Sequence, residues 1–176
     1  MSNPPPEDRL VDHLEALARN EDRATLALLR STLQEGRALE GLRVVMPYIT
    51  RNAADQRQRE DDALLVAGLF ALHPESGSRS LASALRSVAQ ESDSVELRFR
   101  ALLTAGRDEL PTHLRHAVTL VASKKLAIDW RDLHTTVRFW ERGDDRARRA
   151  WARDFWADGE EETTADTAND IASTTA

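Results

Sequence analysis

The sequence predicts an all-α fold: a single compact domain of about eight or nine helices with short loops, and a disordered acidic C-terminal tail. Three observations predict it. In 176 residues there are only 7 Gly and 6 Pro against 41% hydrophobic and 31% charged residues, which disfavours collagen-like, wholly disordered and sandwich architectures. Apolar residues recur at helical spacing in nearly every segment. No alternating strand pattern, fixed-period repeat or internal linker interrupts them, so residues 1–157 read as one domain.

After a Pro-rich lead, Leu10, Leu14 and Leu17 lie at i, i+4 and i+7 and predict a helix over 7–19. Leu26, Leu29 and Leu33 repeat the pattern over 22–34, where Gly36 suits a helix end. Pro47 breaks a short element at 42–49. The segment 58–72 is apolar nearly all round and predicts a central helix, with Glu60, Asp61 and Asp62 expected at the positive end of its dipole. Its apolar run, Ala63 to Leu72, is half the length a membrane span needs.

Pro74 and Gly77 separate this helix from one carrying Leu81, Leu85 and Val88. Asp93 and Glu96 have the spacing of a capping box before Val95, Phe99 and Leu102, and Gly106 marks the end. Pro111 suits the first turn of a helix over 110–123. Asp129 is placed to cap a helix whose inner side includes Leu133, Val137 and Trp140. The last helix begins near Asp144 and sets Ala147, Trp151 and Phe155 on one face.

The formal charge of −6 is unevenly distributed. Residues 158–176 hold six acids and no Lys or Arg, which leaves residues 1–157 formally neutral. That tail has too few large apolar residues to offset its ordering entropy, so disorder is expected there. It reads as a solubilising tail or as a competitor for a basic surface. Within the neutral body, the stretch from Arg98 to Arg153 has 13 bases against 7 acids. A local cationic surplus is a footprint for phosphates; Arg residues decorating solvated helix faces would give the same counts.

Catalytic patterns are missing. The chain has neither a P-loop nor a G-x-G-x-x-G turn to cradle nucleotide phosphates. It has no cysteine, which removes thiolate chemistry and disulfides and fits a reducing, cytoplasmic setting. The start, MSNPPPEDR, has none of the features of a secretory signal. Only His113 and His116 are close enough to share a helix face, short of a zinc site. Asp61, Asp62, Asp93, Asp129, Asp144 and Asp145 fall near helix starts, where capping explains them, and Ser76, Ser78 and Ser80 read as loop serines. No catalytic residue, metal site, cofactor or small-molecule substrate is expected.

A cationic stripe stands out on the last helix: Arg146, Arg149 and Arg153 recur at i, i+3 and i+7, away from the apolar face, with Arg148 beside them. Asp144 and Asp145 are spaced to pair with these groups instead. Arg98, Arg107, Arg115, Lys124 and Lys125 join the stripe only if the fold gathers them. Trp130, Trp140, Trp151 and Trp156 serve either as core or as stacking platforms for single-stranded bases.

Five segments then stand in order: VAGLFALHP (66–74), SVELRFRALL (94–103), LPTHLRHAVTLV (110–121), IDWRDL (128–133) and RRAWARDFW (148–156). Together with VVMPYI (44–49), they closely resemble the CasB family, the small subunit of the type I-E CRISPR surveillance complex Cascade, from about residue 26 to 156. The resemblance implies an all-helical, non-catalytic subunit that pairs head to tail with a second copy. It also implies contacts with the backbone and large subunits, the guide RNA and the target DNA strands. By their place in the segments, Arg30, Arg59, Arg98, Arg107, Arg115, Arg146 and Arg148 match basic positions of the family; the helix-face argument adds Arg149 and Arg153. Arg98 and Arg115, nested in apolar segments, are equally open to a structural ion pair. A helical adaptor that binds only protein is the main rival reading. A small metal-dependent nuclease is another, and no recognition helix suggests a repressor.

Overall fold

In the computed structural model, residues 6–51 and 54–157 are described, with side chains from Arg9 onward. They form nine α-helices: α1 (Pro6–Arg19), α2 (Arg23–Ser31), α3 (Leu42–Val45), α4 (Gln56–Leu72), α5 (Leu81–Ala89), α6 (Asp93–Thr104), α7 (Leu110–Ser123), α8 (Trp130–Arg138) and α9 (Arg146–Trp156). Short 3-10 turns at Ala38–Gly41 and Met46–Tyr48 flank α3. The expected acidic tail, 158–176, lies outside the described residues.

Helix α4 organises one half. Ala63, Leu64, Val66, Ala67, Leu69, Phe70 and Ala71 are all buried, because α1, α2, α3, α7 and α8 pack around it. The other half groups α5 with α6, α7 and α9, and the buried side chains of both halves form one continuous core. Close approach of α2 to α4 depends on Gly68, where a Cβ would lie 2.8 Å from Leu33 and 3.2 Å from the Leu29 carbonyl. The loops before α5 and α8 are clipped together, Gly77 N–H donating to the Ile128 carbonyl at 2.8 Å and Ile128 N–H to that of Glu75 at 3.3 Å.

Trp130, Trp140 and Trp151 are core residues, and each indole N–H finds an acceptor: the Glu75 carbonyl, the Ala105 carbonyl and the Asp132 carboxylate. Stacking is therefore ruled out for three of the four tryptophans. His73, also buried, meets the Leu126 carbonyl through Nε2 at 2.8 Å.

Local expectations fail where tertiary contacts displace them. Helix α2 stops at Ser31 and is followed by turns, so Gly36, at φ +80°, lies beyond the helix end. Helix α4 starts at Gln56, which removes Glu60, Asp61 and Asp62 from its first turn; Asp62 is instead buried. The capping box at Asp93 is not formed. Ser92 occupies the cap without a side-chain bond, and Glu96 turns to Arg100 and to the indole of Trp156.

Candidate nucleic-acid interface

Helix α9 is amphipathic in the expected sense. Trp151 and Phe155 are buried against the α5 and α6 side, where Phe155 stacks on Phe99 at 4.0 Å between centroids. Arg146, Arg149 and Arg153 are exposed on another face. The side chains of Arg146 and Arg153 have no hydrogen-bond or ion-pair partner among the described residues, and that of Arg149 donates only to the Asp144 carbonyl, at 3.2 Å.

Arg148 points the other way. Its Nε donates to the Trp140 carbonyl at 3.1 Å, one terminal nitrogen reaches the Ala105 carbonyl at 3.3 Å, and the guanidinium lies over the Trp140 ring. It fastens α9 to the turns after α6 and α8.

Three more of the nine arginines singled out from the sequence are likewise held by the fold. Arg30 donates twice to the Ala71 carbonyl, at 3.0 and 2.9 Å, and so closes the end of α4. Arg59 pairs with Asp55 at 2.7 Å, and Asp55 also receives Arg142. Hydrogen bonding from Arg59 draws the Asp55 carboxyl down to about 2. Arg107 donates to the Val137 carbonyl at 2.7 Å and pairs with Asp62 at 3.1 Å. Burial outweighs that attraction and pushes the Asp62 carboxyl up to about 6. These bonds give the guanidinium groups of Arg30, Arg59, Arg107 and Arg148 duties within the fold.

Arg98 and Arg115 are exposed, and neither forms the alternative structural ion pair with a described residue. They open into different clefts. Arg98 borders an apolar cleft of about 520 Å³ between α5, α6 and α7, whose rim also holds His113 and His116. Arg115 borders a groove between α7 and α4 that Asp61 also lines, and His116 touches both spaces. Neither cleft is lined by α9. Of the weaker candidates, Lys124 pairs with Glu91, and Lys125 is exposed.

The structure also assembles cations that periodicity missed. Arg79 from the loop before α5, Arg86 from α5 and Arg153 from α9 line one polar cleft together with Ser78, Ser80, Ser83, Asp129, Asp132 and Asp154. Three separate elements supply them, so no helical spacing signals the group. Asp129 caps α8, and Ser80 both caps α5 and donates to Asp154 at 2.6 Å, which gives these polar groups structural duties. Burial pushes the Asp132 carboxyl up. Among the described residues no three His, Cys, Asp or Glu side chains are grouped to hold a metal ion, and no helix is long and apolar enough to cross a membrane.

The described residues thus form an all-helical body with one core that displays cations along separate helix faces. Comparison with known proteins makes the class specific. The family model for CRISPR-associated protein Cse2 matches residues 25–156, and the chain belongs to that family, also called CasB. A curated Cse2 protein of Thermus thermophilus is 40% identical over 122 residues, covering 66% of this chain and 70% of the relative. The crystal structure of CasB from Thermus thermophilus superposes with a TM-score of 0.73 at 30% identity, covering 86% of this chain and 97% of that one. A chain from a CRISPR RNA-guided surveillance complex superposes with a TM-score of 0.71 at 25% identity, over 85% and 91% of the two chains.

Proposed function

We propose that this chain is the non-catalytic small subunit of a type I-E CRISPR surveillance complex of the Cascade kind. It sits there beside a second copy and the backbone and large subunits, in the cytoplasm. The observation that carries the reading is the Cse2 family match across residues 25–156, joined by the likeness to a chain of an RNA-guided surveillance complex.

Its work is electrostatic. Opening target DNA exchanges a duplex for an RNA–DNA hybrid of similar stability, so modest contacts to the separated strands decide whether the opened state persists. Arg98, Arg115, Arg146, Arg149 and Arg153 are the phosphate contacts of this reading, because these residues are exposed and, apart from the Arg149 bond to the Asp144 carbonyl, their side chains have no partner among the described residues. Arg30, Arg59, Arg107 and Arg148 shape the body that displays them. Affinity that rests on such contacts falls as salt rises, through lost counterion release.

A protein-only adaptor role is favoured by Leu39 and Leu97, exposed at 78% and 70%, since large apolar groups left in water suit subunit contacts. Affinity purification of the tagged full chain from cells that express the whole CRISPR locus tests the assignment. Guide RNA and the repeating backbone subunit are expected to co-purify; a chain recovered free of both contradicts it.

A further inference from the structure

Trp156 is set apart from the other tryptophans: it is 44% exposed, whereas Trp130, Trp140 and Trp151 are exposed by 1% or less. It also continues the cationic stripe. Arg146, Arg149, Arg153 and Trp156 follow one another at intervals of three, four and three residues. At about 100° per residue they fall within an arc of about 80° on α9 and span about 15 Å of its axis.

One side of the indole is supported. Phe99 and Phe155 meet it edge to face, each at 5.3 Å between centroids, and its N–H reaches Glu96 at 3.4 Å. Glu96 is itself paired with Arg100, which limits its repulsion of a nearby phosphate. The ring is thus held in orientation while much of its surface stays open to water, an arrangement that wastes apolar area unless something covers it.

We infer that α9 is a single-strand track, in which Arg146, Arg149 and Arg153 follow the phosphates and Trp156 stacks a base at the end of the row. The inference rests on the nucleic-acid reading above and names the face and the aromatic group that serve it. Stacking against a fixed indole is indifferent to base identity, as holding an arbitrary unpaired strand requires. The row is cationic and one helix face wide, which suits one strand; a duplex presents its bases already stacked on each other.

The test uses the full-length chain and a dT20 oligonucleotide, followed by tryptophan fluorescence and by anisotropy of a labelled strand across a salt series. The wild-type chain is expected to show quenching of its exposed tryptophan on adding dT20. Trp156→Leu, which keeps apolar bulk and loses the aromatic face, is expected to weaken binding at least about fivefold with the salt slope unchanged, and Trp156→Phe to restore most of it. Neutralising the three arginines to Gln is expected to reduce the slope of log affinity against log salt by about 2.

Binding that is salt-dependent but indifferent to Trp156→Leu overturns the stacking site and leaves the nucleic-acid reading standing. Failure of the wild-type chain to bind dT20 at low salt overturns the track itself. A Trp156→Leu chain that binds dT20 normally but loses self-association or partner subunits assigns the indole to a protein contact instead. If Trp156→Leu does not fold, the wild-type quench and its loss in Trp156→Phe decide the matter.

Discussion

Arg148 holds Trp140 from two directions, its guanidinium carbon 4.9 Å from the ring centroid and its Nε donating to the Trp140 backbone carbonyl. The contact joins the start of α9 to the turn that follows α8, so an arginine in the middle of a basic run is a packing residue. Replacing it with Ala is expected to lower stability by about 2 kcal/mol through lost charge-assisted hydrogen bonds and the cation–π contact. Arg146→Ala, on an exposed face, is expected to stay within about 0.5 kcal/mol of wild type. Urea denaturation of the two variants measures the contrast, and equal midpoints would refute it.

Asp62 gives the protein a pH dependence of unusual sign. Its folded carboxyl titrates near 6, against about 4 for an unfolded Asp, so between those values the folded state holds more protons than the unfolded one. Its contribution therefore falls as pH rises from about 4 to about 6, by about 3 kcal/mol. Asp55, drawn down to about 2, adds stability that is lost only at lower pH, so the two effects occupy different windows. Denaturation of wild type and Asp62→Asn at several pH values from 4 to 7 is expected to show a difference between them that changes with pH. A constant difference would exclude this role.

Gly68 sets the distance between α2 and α4. In a helix interior, Ala replaces Gly with a gain of about 1 kcal/mol in propensity, but here the added methyl meets Leu33 at 2.8 Å and the Leu29 backbone carbonyl at 3.2 Å. Overpacking of that kind typically costs about 1–3 kcal/mol, so Gly68→Ala is expected to be destabilising by about 1 kcal/mol. Thermal melting decides the sign; a raised melting temperature would mean that α2 yields freely.

Helical spacing made most of the fold legible. Leu10, Leu14 and Leu17 in α1, and Trp151 and Phe155 in α9, are buried on the faces their intervals indicated. Ends were less legible, because capping competes with other partners: Glu96 has the capping spacing and bonds instead to Arg100, one turn on, and to the distant Trp156. The site was legible only in part. A basic residue on a helix surface looks alike in sequence whether its side chain has no partner among the described residues, as with Arg146, or bonds a carbonyl 41 residues away, as Arg30 does to Ala71. The cleft that gathers Arg79, Arg86 and Arg153 was invisible for the related reason that three distant segments build it.

Target binding by the reconstituted complex, measured with the wild-type subunit and with Arg146→Gln, Arg149→Gln and Arg153→Gln combined, bears most directly on the claim that exposed cations of this subunit hold opened DNA. The combined variant is expected to assemble normally, bind target more weakly at physiological salt and show a shallower dependence on salt. Normal assembly with unaltered affinity and an unaltered slope would contradict it.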